Sequence, residues 1–289
     1  MPAAVMDGKL LSAKIKENAK KRTEILKQKG ITPCLAVILA GENPASLSYV
    51  KSKENALREA GMESRNIKLP YDIDEKELLY IIENLNEDKS VHGVLVQLPL
   101  PDHIDEIKIN SAIRTEKDVD CFNPASVGNM VLGRNGFLPC TPAGVIAFLE
   151  EYNIPVSGAE AVIVGRSNIS GKPLANLLMQ KKYNATVTIC HRGTKNLSSH
   201  TLRADILIAA AGSPGFIKPD MVKKGAAIID VGINRVPDAS SPKGYYICGD
   251  ADPGVYEKAG FITPVPGGVG LMTVAMLLKN TVQAAENSL

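Results

Sequence analysis

Short apolar runs, each too short for a helix of ordinary length, recur along the chain and restrict its fold more than any other feature. They are Cys34–Ala40, Val91–Gln97, Ala161–Gly165, Asp205–Gly212 and Ala226–Gly232. A continuous apolar run of this length reads as a strand buried on both faces. Ala185–Cys190 is a further strand and Asn66–Leu69 a weaker one. Helical stretches lie between the runs. Residues 8–29 form a lysine-rich amphipathic helix with Leu10, Leu11, Ile15 and Leu26 on its apolar side and Gly30 as its stop. A second helix opens at Asn43-Pro44 and stops at Gly61, and a third runs from Asp74 to about Asp88. Thr141 and Pro142 start another, through Glu151. Strand alternating with helix predicts an α/β fold with a parallel sheet and right-handed crossovers.

At 289 residues the chain is long enough for two domains. The expected division is 1–140 and 141–270, with a last apolar helix from about 271, through Glu286, crossing back onto the first domain. The polar segment 235–244 reads as a flexible loop. A formal net charge of +2 and the absence of tryptophan argue against nucleic acid as a partner. The amino terminus lacks the order of a signal peptide, and no apolar run approaches the roughly 18 residues of a membrane span. Five scattered cysteines without a Cys-x-x-Cys pair indicate reduced thiols, not a disulfide framework or zinc site. These features predict a soluble cytoplasmic protein without a membrane partner.

Tyr49 and Lys53 are four residues apart and share one face of the second helix, continued by Ala56, Leu57 and Ala60. A lysine on such an inward face is either an acid–base group, its pKa lowered by desolvation and a close hydroxyl, or a stem snorkelling over a packed tyrosine. Gln97 ends a strand just before Pro99 and Pro101 take the chain out of the sheet, which is where ligands of open α/β sheets collect. A strand-end glutamine facing water is the alternative. Asp118 and Asp120 flank Val119; a metal there lacks further ligands, whereas a carboxylate can accept two N–H bonds from an amino-pyrimidine-like ring.

The strand ending at Gly165 runs into Arg166-Ser167-Asn168-Ile169-Ser170-Gly171 and a helix, the plan of a dinucleotide site, although Gly-x-Gly-x-x-Gly itself is absent. The next strand ends at His191-Arg192-Gly193-Thr194 without the acid that NAD-specific sites place on the ribose. Arg166, Arg192 and a serine suit a 2′-phosphate, hence NADP. His191 reads equally as an acid–base group or a structural histidine. Prolines and glycines in Ile262–Gly270 allow backbone to approach a ligand.

In this order, Tyr49-x-x-x-Lys53, Val96-Gln97-Leu98-Pro99-Leu100-Pro101, Asp118-Val119-Asp120, Pro139-Cys140-Thr141-Pro142-x-Gly144, Gly165-Arg166-Ser167 with Gly171-x-Pro173, Asp230–Arg235 and Pro264–Gly270 resemble the bifunctional methylenetetrahydrofolate dehydrogenase/methenyltetrahydrofolate cyclohydrolase family. The resemblance covers nearly the whole chain. It implies two α/β domains flanking a cleft, the first binding folate and the second, Rossmann-like, binding NADP, usually in a homodimer. It implies oxidation of 5,10-methylenetetrahydrofolate followed by hydrolysis, with tetrahydrofolate one-carbon derivatives, polyglutamylated forms included, as substrates. By the same resemblance Lys53 is the acid–base group, Tyr49 stacks on the folate, Gln97 tunes the lysine and Asp120 binds the pterin. Pro266, Gly267, Gly268 and Val269 line the folate channel. Arg166 and Ser167 hold the 2′-phosphate, with Gly165, Gly171, His191, Arg192, Gly212 and Ile233 completing the cofactor set. No metal is implied. Three positions depart from the family pattern: Cys121 replaces a glycine, Leu271 replaces a proline at the expected first turn of the last helix, and no serine follows His191. The rival readings are a dehydrogenase-only member, another two-domain NADP enzyme resembling shikimate dehydrogenases, and a silent nucleotide- or folate-binding protein.

Overall fold

The computed structural model describes residues 2–242 and 244–289, so Met1 and Lys243 (the latter within the expected loop 235–244) lie outside the described residues. In chain order the elements are β1 (Ala4–Val5), α1 (Gly8–Gln28), β2 (Cys34–Ala40), α2 (Pro44–Glu59), β3 (Glu63–Leu69), α3 (Glu75–Glu87), β4 (Gly93–Val96), α4 (Glu106–Ala112), α5 (Pro124–Val131) and α6 (Cys140–Glu151). They continue as β5 (Glu160–Val164), α7 (Gly171–Leu178), β6 (Thr186–Cys190), α8 (Leu197–Thr201), β7 (Ile206–Ala209), β8 (Ala227–Asp230), β9 (Asn234–Pro237), β10 (Tyr245–Cys248), β11 (Phe261–Ile262) and α9 (Val269–Asn287). The fold is α/β. No helix among the described residues is long and apolar enough to cross a membrane.

The chain divides into two compact units. The first comprises Ala13–Cys140 and Val274–Leu289, the second Met1–Ser12 and Thr141–Thr273. The amino-terminal dozen residues, expected in the first domain, therefore belong with the second unit. The reason is β1, which pairs in parallel with β11 through Ala4–Phe261 and Val5–Ile262.

In the first unit a three-stranded sheet runs β3-β2-β4, with both pairs parallel. All seven residues of β2 are buried, as a central strand covered on both faces requires. Ile38, Leu78, Ile82, Val94 and Ile109 share one apolar core. Asp74 caps α3 by accepting from the Lys76 amide at 2.7 Å. Asn280, on α9, donates to the carbonyls of Val119 at 2.8 Å and Leu138 at 3.0 Å. Arg22 of α1 grips Glu286 through two bonds of 2.9 and 2.5 Å.

In the second unit six parallel strands run β1-β11-β8-β7-β5-β6. From β5 the chain first moves outward to β6, then returns to β7 on the other side of β5. The strand order therefore reverses between β5 and β7, the position at which open α/β sheets bind ligands beyond their carboxyl ends. The expected loop 235–244 differs: Asn234–Pro237 is a strand, paired antiparallel with Tyr245–Cys248. Residues 234–237 alternate between half-buried and exposed, the signature of a strand with one wet face, and its polar composition disguised it.

Candidate active site

In the first unit, Asn43 accepts from the Ser46 amide at 3.2 Å and starts α2 at Pro44. Tyr49 and Lys53 follow along this helix, about one turn apart. Their environments differ: Lys53 is 7 % exposed and Tyr49 47 %. The shared inward face expected from the spacing is thus split, because Tyr49 lies at its wet margin. Lys53 Nζ donates to Gln97 Oε1 at 3.0 Å rather than to the Tyr49 hydroxyl. Gln97 is held on both sides. Its amide continues the ladder to Ile38 at 2.8 Å, and its Nε2 donates to the Leu98 carbonyl at 2.8 Å. That second bond fixes which end of the side-chain amide faces the lysine, leaving the oxygen aimed at the ammonium.

The loop bearing the two aspartates runs beside β4, where the Val94 amide donates to the Lys117 carbonyl at 2.8 Å. The carboxylates have different surroundings. Asp118 is buried and accepts from the amides of Phe122 at 3.1 Å and Asn123 at 2.9 Å, closing the turn before α5. Burial raises its carboxyl above the usual range against those bonds. Asp120 is half-buried and faces Cys140. The Cys140 thiol is pushed well up by burial first, then by the charge and hydrogen bond of Asp120, while the charge of Lys53 acts in the opposite direction. Lys53, Asp120 and Cys140 therefore share one electrostatic neighbourhood.

Cys121 explains the glycine it replaces. Its φ is +59°, in the left-handed region that costs a side chain about 1–2 kcal/mol. It is fully buried, and burial followed by the charges of Asp118 and Asp120 lifts its thiol to about 12. Leu271 is less consequential than its position suggested, since α9 begins at Val269 and Leu271 is the third helical residue.

In the second unit, the turn after β5 is built on missing side chains. Gly165 has φ +142°, and a Cβ there would lie 2.1 Å from the Ala210 carbonyl oxygen, at the end of β7. A Cβ on Gly171 would lie 2.2 Å from the Gly165 carbonyl oxygen. Strand, turn and α7 can approach this closely only with glycine at both places. Arg166 and Ser167 are exposed on this turn, and His191 and Arg192 are exposed beyond the end of β6. His191 also organises its own turn: Nδ1 accepts from the Gly193 amide at 3.1 Å, and its amide donates to Thr194 Oγ1 at 2.9 Å. At the amino end of α7 the Ser170 hydroxyl is buried without a hydrogen-bond partner.

Two residues that sequence reasoning passed over tie this edge together. Asp230, at the end of β8, accepts from the amides of Gly232 at 2.9 Å, Asp250 at 3.0 Å and Ala251 at 2.8 Å. Asp250 accepts from the amides of Gly212 at 2.8 Å and Ser213 at 2.9 Å and from Asn234 Nδ2 at 2.8 Å. Both carboxylates are buried. Burial lifts the Asp230 carboxyl to about 6, against the pull of its amide donors. The available signal was the pairing of Asp230-Val231-Gly232 with Gly249-Asp250, each supplying one carboxylate and one glycine. Beside them a cavity of about 160 Å³ brings Ile233 together with Pro266, Gly267, Gly268 and Val269. Among the described residues no cluster of three or more His, Cys, Asp or Glu side chains could hold a metal ion.

A parallel sheet with a glycine turn at its reversal point, in a chain whose other unit carries a buried lysine held by an amide, defines a two-domain dinucleotide-linked enzyme. Residues 6–120 match the family described as tetrahydrofolate dehydrogenase/cyclohydrolase, catalytic domain, and residues 139–289 its NAD(P)-binding domain. The chain belongs to the tetrahydrofolate dehydrogenase/cyclohydrolase family. It is 52 % identical over 286 residues to the bifunctional protein FolD of Campylobacter hominis, spanning 99 % of this chain and 98 % of that protein. The crystal structure of the bifunctional FolD dehydrogenase/cyclohydrolase from Campylobacter jejuni superposes with a TM-score of 0.95 at 52 % identity, covering 99 % and 100 % of the two chains. The Trypanosoma brucei enzyme, solved with NADP and an inhibitor, gives 0.94 at 37 % identity over 100 % and 99 %.

Proposed function

We propose that this chain is a bifunctional one-carbon folate enzyme. It oxidises 5,10-methylenetetrahydrofolate to 5,10-methenyltetrahydrofolate with NADP, then hydrolyses the product to 10-formyltetrahydrofolate. Membership of the family supports both activities. It also sets aside the reading as an enzyme resembling shikimate dehydrogenases. The single observation that carries the site reading is the bond from buried Lys53 to Gln97, within the unit that holds Asp120.

In this reading the first unit handles folate. Asp120 accepts N–H bonds from the pterin, and exposed Tyr49 offers its ring for stacking. Lys53 moves the proton of the hydrolytic step, passing it between the attacking water and the opening ring nitrogen. Gln97 holds Lys53 Nζ in place, so the shuttle is already oriented when water arrives.

The second unit holds NADP, which when bound accepts a hydride at its nicotinamide. Its residues fit such a group. The backbone at Gly165 and Gly171 leaves no room for side chains, and Arg166, Ser167 and Arg192 present exposed donors suited to a 2′-phosphate. Gly212, Ile233 and His191 complete the cofactor side, and Pro266, Gly267, Gly268 and Val269 form the wall met by the folate. The hydride step needs positioning more than acid–base help, because the folate nitrogen beside the one-carbon bridge drives it. Homodimer formation, cytoplasmic location and acceptance of polyglutamylated folates belong to the same proposal, supported by likeness to the family.

The test is a mixing assay of the purified protein with methylenetetrahydrofolate and NADP or NAD, following reduced cofactor and methenyl product separately. The expected result is NADP reduction with little methenyl build-up, together with hydrolysis of added methenyltetrahydrofolate. Lasting methenyl accumulation would contradict the role of Lys53 and favour the dehydrogenase-only reading. Failure to reduce either cofactor would favour a silent binding protein.

A further inference from the structure

Asp230 and Asp250 take no part in the chemistry above, yet they are among the most completely enclosed charged groups of the second unit. Their arrangement is reciprocal. The segment after β8 carries Gly232, whose added Cβ would lie 2.3 Å from Asp250 Oδ1; the segment after β10 carries Gly249, whose added Cβ would lie 1.9 Å from Asp230 Oδ2. Each segment gives up a side chain so that the other's carboxylate can sit directly on its backbone. Asp230 then fixes the segment bearing Asp250 through the amides of Asp250 and Ala251. Asp250 in turn reaches two separate pieces of the sheet edge: the Gly212-Ser213 turn after β7, and Asn234 at the start of β9.

Those two pieces flank residues assigned above to the cofactor. Gly212 has φ +65°, so its amide direction is set by a conformation that is not the default for most residues. Ile233 precedes Asn234 and is 48 % exposed, facing the cavity it shares with Pro266–Val269. One carboxylate thus orients both a backbone turn and an apolar wall. Charge-assisted bonds to backbone amides are the stronger class, and here they are shielded from water.

We propose that Asp250 is the positioning residue of the cofactor site: its carboxylate sets the Gly212-Ser213 turn and, through Asn234, the Ile233 wall, with Asp230 holding Asp250 in place. The inference rests on the assignment of Gly212 and Ile233 to NADP. It predicts a selective defect, since the cyclohydrolase step needs no cofactor and its proton shuttle lies in the other unit.

Asp250→Asn keeps the shape but puts an amide nitrogen where an acceptor is needed. In the full chain it is expected to raise KM for NADP about tenfold or more, the scale of one charge-assisted bond. KM for methylenetetrahydrofolate and the rate of hydrolysis of added methenyltetrahydrofolate should stay within about twofold, a change worth under half a kcal/mol. Asn234→Ala removes a single donor and is the gentler variant, expected to raise KM for NADP a few-fold at unchanged hydrolysis. An unchanged KM for NADP in both variants would overturn the proposal, as would parallel loss of both activities in Asn234→Ala. Parent protein that hydrolyses methenyl substrate but reduces no NADP would instead defeat the cofactor assignment on which the inference rests.

Discussion

The two units build their candidate sites from different materials. In the first, side chains carry the arrangement: a buried ammonium, the amide that holds it and a nearby carboxylate. In the second, backbone carries it, and side chains are conspicuous by their removal at Gly165, Gly171, Gly232 and Gly249. Carboxylates follow the same division. Asp120 of the first unit is half-buried and proposed for substrate, whereas Asp230 and Asp250 of the second are spent on main-chain amides. A site made of side chains should fail by losing chemistry. One made of backbone should fail by losing shape.

The largest expected effect tests the first half of that contrast. Lys53→Ala should cut hydrolysis of methenyltetrahydrofolate by at least about a hundredfold, the usual scale for a lost acid–base group, with NADP affinity unchanged. Normal cyclohydrolase turnover in that variant would remove Lys53 from the mechanism. Next, Arg166→Ala should weaken NADP about ten- to a hundredfold while changing NAD little, since only NADP offers a charged partner. Equal losses for both dinucleotides, in a binding titration, would contradict the phosphate assignment.

A third prediction concerns pH, where the two units have opposite signs. The Asp230 carboxyl is lifted from an ordinary 3.8 to about 6, so it favours the folded state when protonated. Its contribution is complete below about 3.8 and is lost as pH rises through about 6, amounting to about 3 kcal/mol at 1.36 kcal/mol per unit. The stability advantage of the parent over Asp230→Asn should therefore shrink between pH 4 and 7 in urea titrations. In the first unit the Asp88 carboxyl is lowered to about 2, by its bonds to Ser90 and then to Arg65. It stabilises above about 3.8 and loses that contribution as pH falls through about 2. Because Asp88 is at the surface, that contribution is a few tenths of a kcal/mol. Finding the same sign for both carboxyls would break the contrast. A last prediction concerns Cys121: Cys121→Gly should exceed Cys121→Ala in stability by about 1 kcal/mol, because the two lose similar packing but only glycine tolerates the left-handed backbone without strain.

The contrast also explains what was legible in the sequence. Lys53 and Gln97 could be singled out as candidates because their residue types announce chemistry and their places follow from helix spacing and a strand end, whereas Asp120 was separated from Asp118 only by the family resemblance. The apolar parallel strands β2, β4, β5, β7 and β8 were readable from their runs in both units. Asp250 was not, since its partners are backbone amides of Gly212 and Ser213, far away in sequence and silent in composition. The hairpin of β9 and β10 was hidden by its polar outer face, and β1, two residues long, has no periodicity to detect. Tyr49 and Lys53 share a helical face by spacing, yet only the tertiary structure decides which of them water reaches.

That two-residue strand bears on how the chain must be made. Ala4 and Val5 leave a ribosome well over two hundred residues before their partners Phe261 and Ile262. The edge of the six-stranded sheet therefore stays open until β11 emerges. Asn280, which fastens the loop beside Asp120 in the other unit, emerges later still. Neither unit can be completed until its late segment has emerged, so the nascent chain carries both unfinished over most of this length.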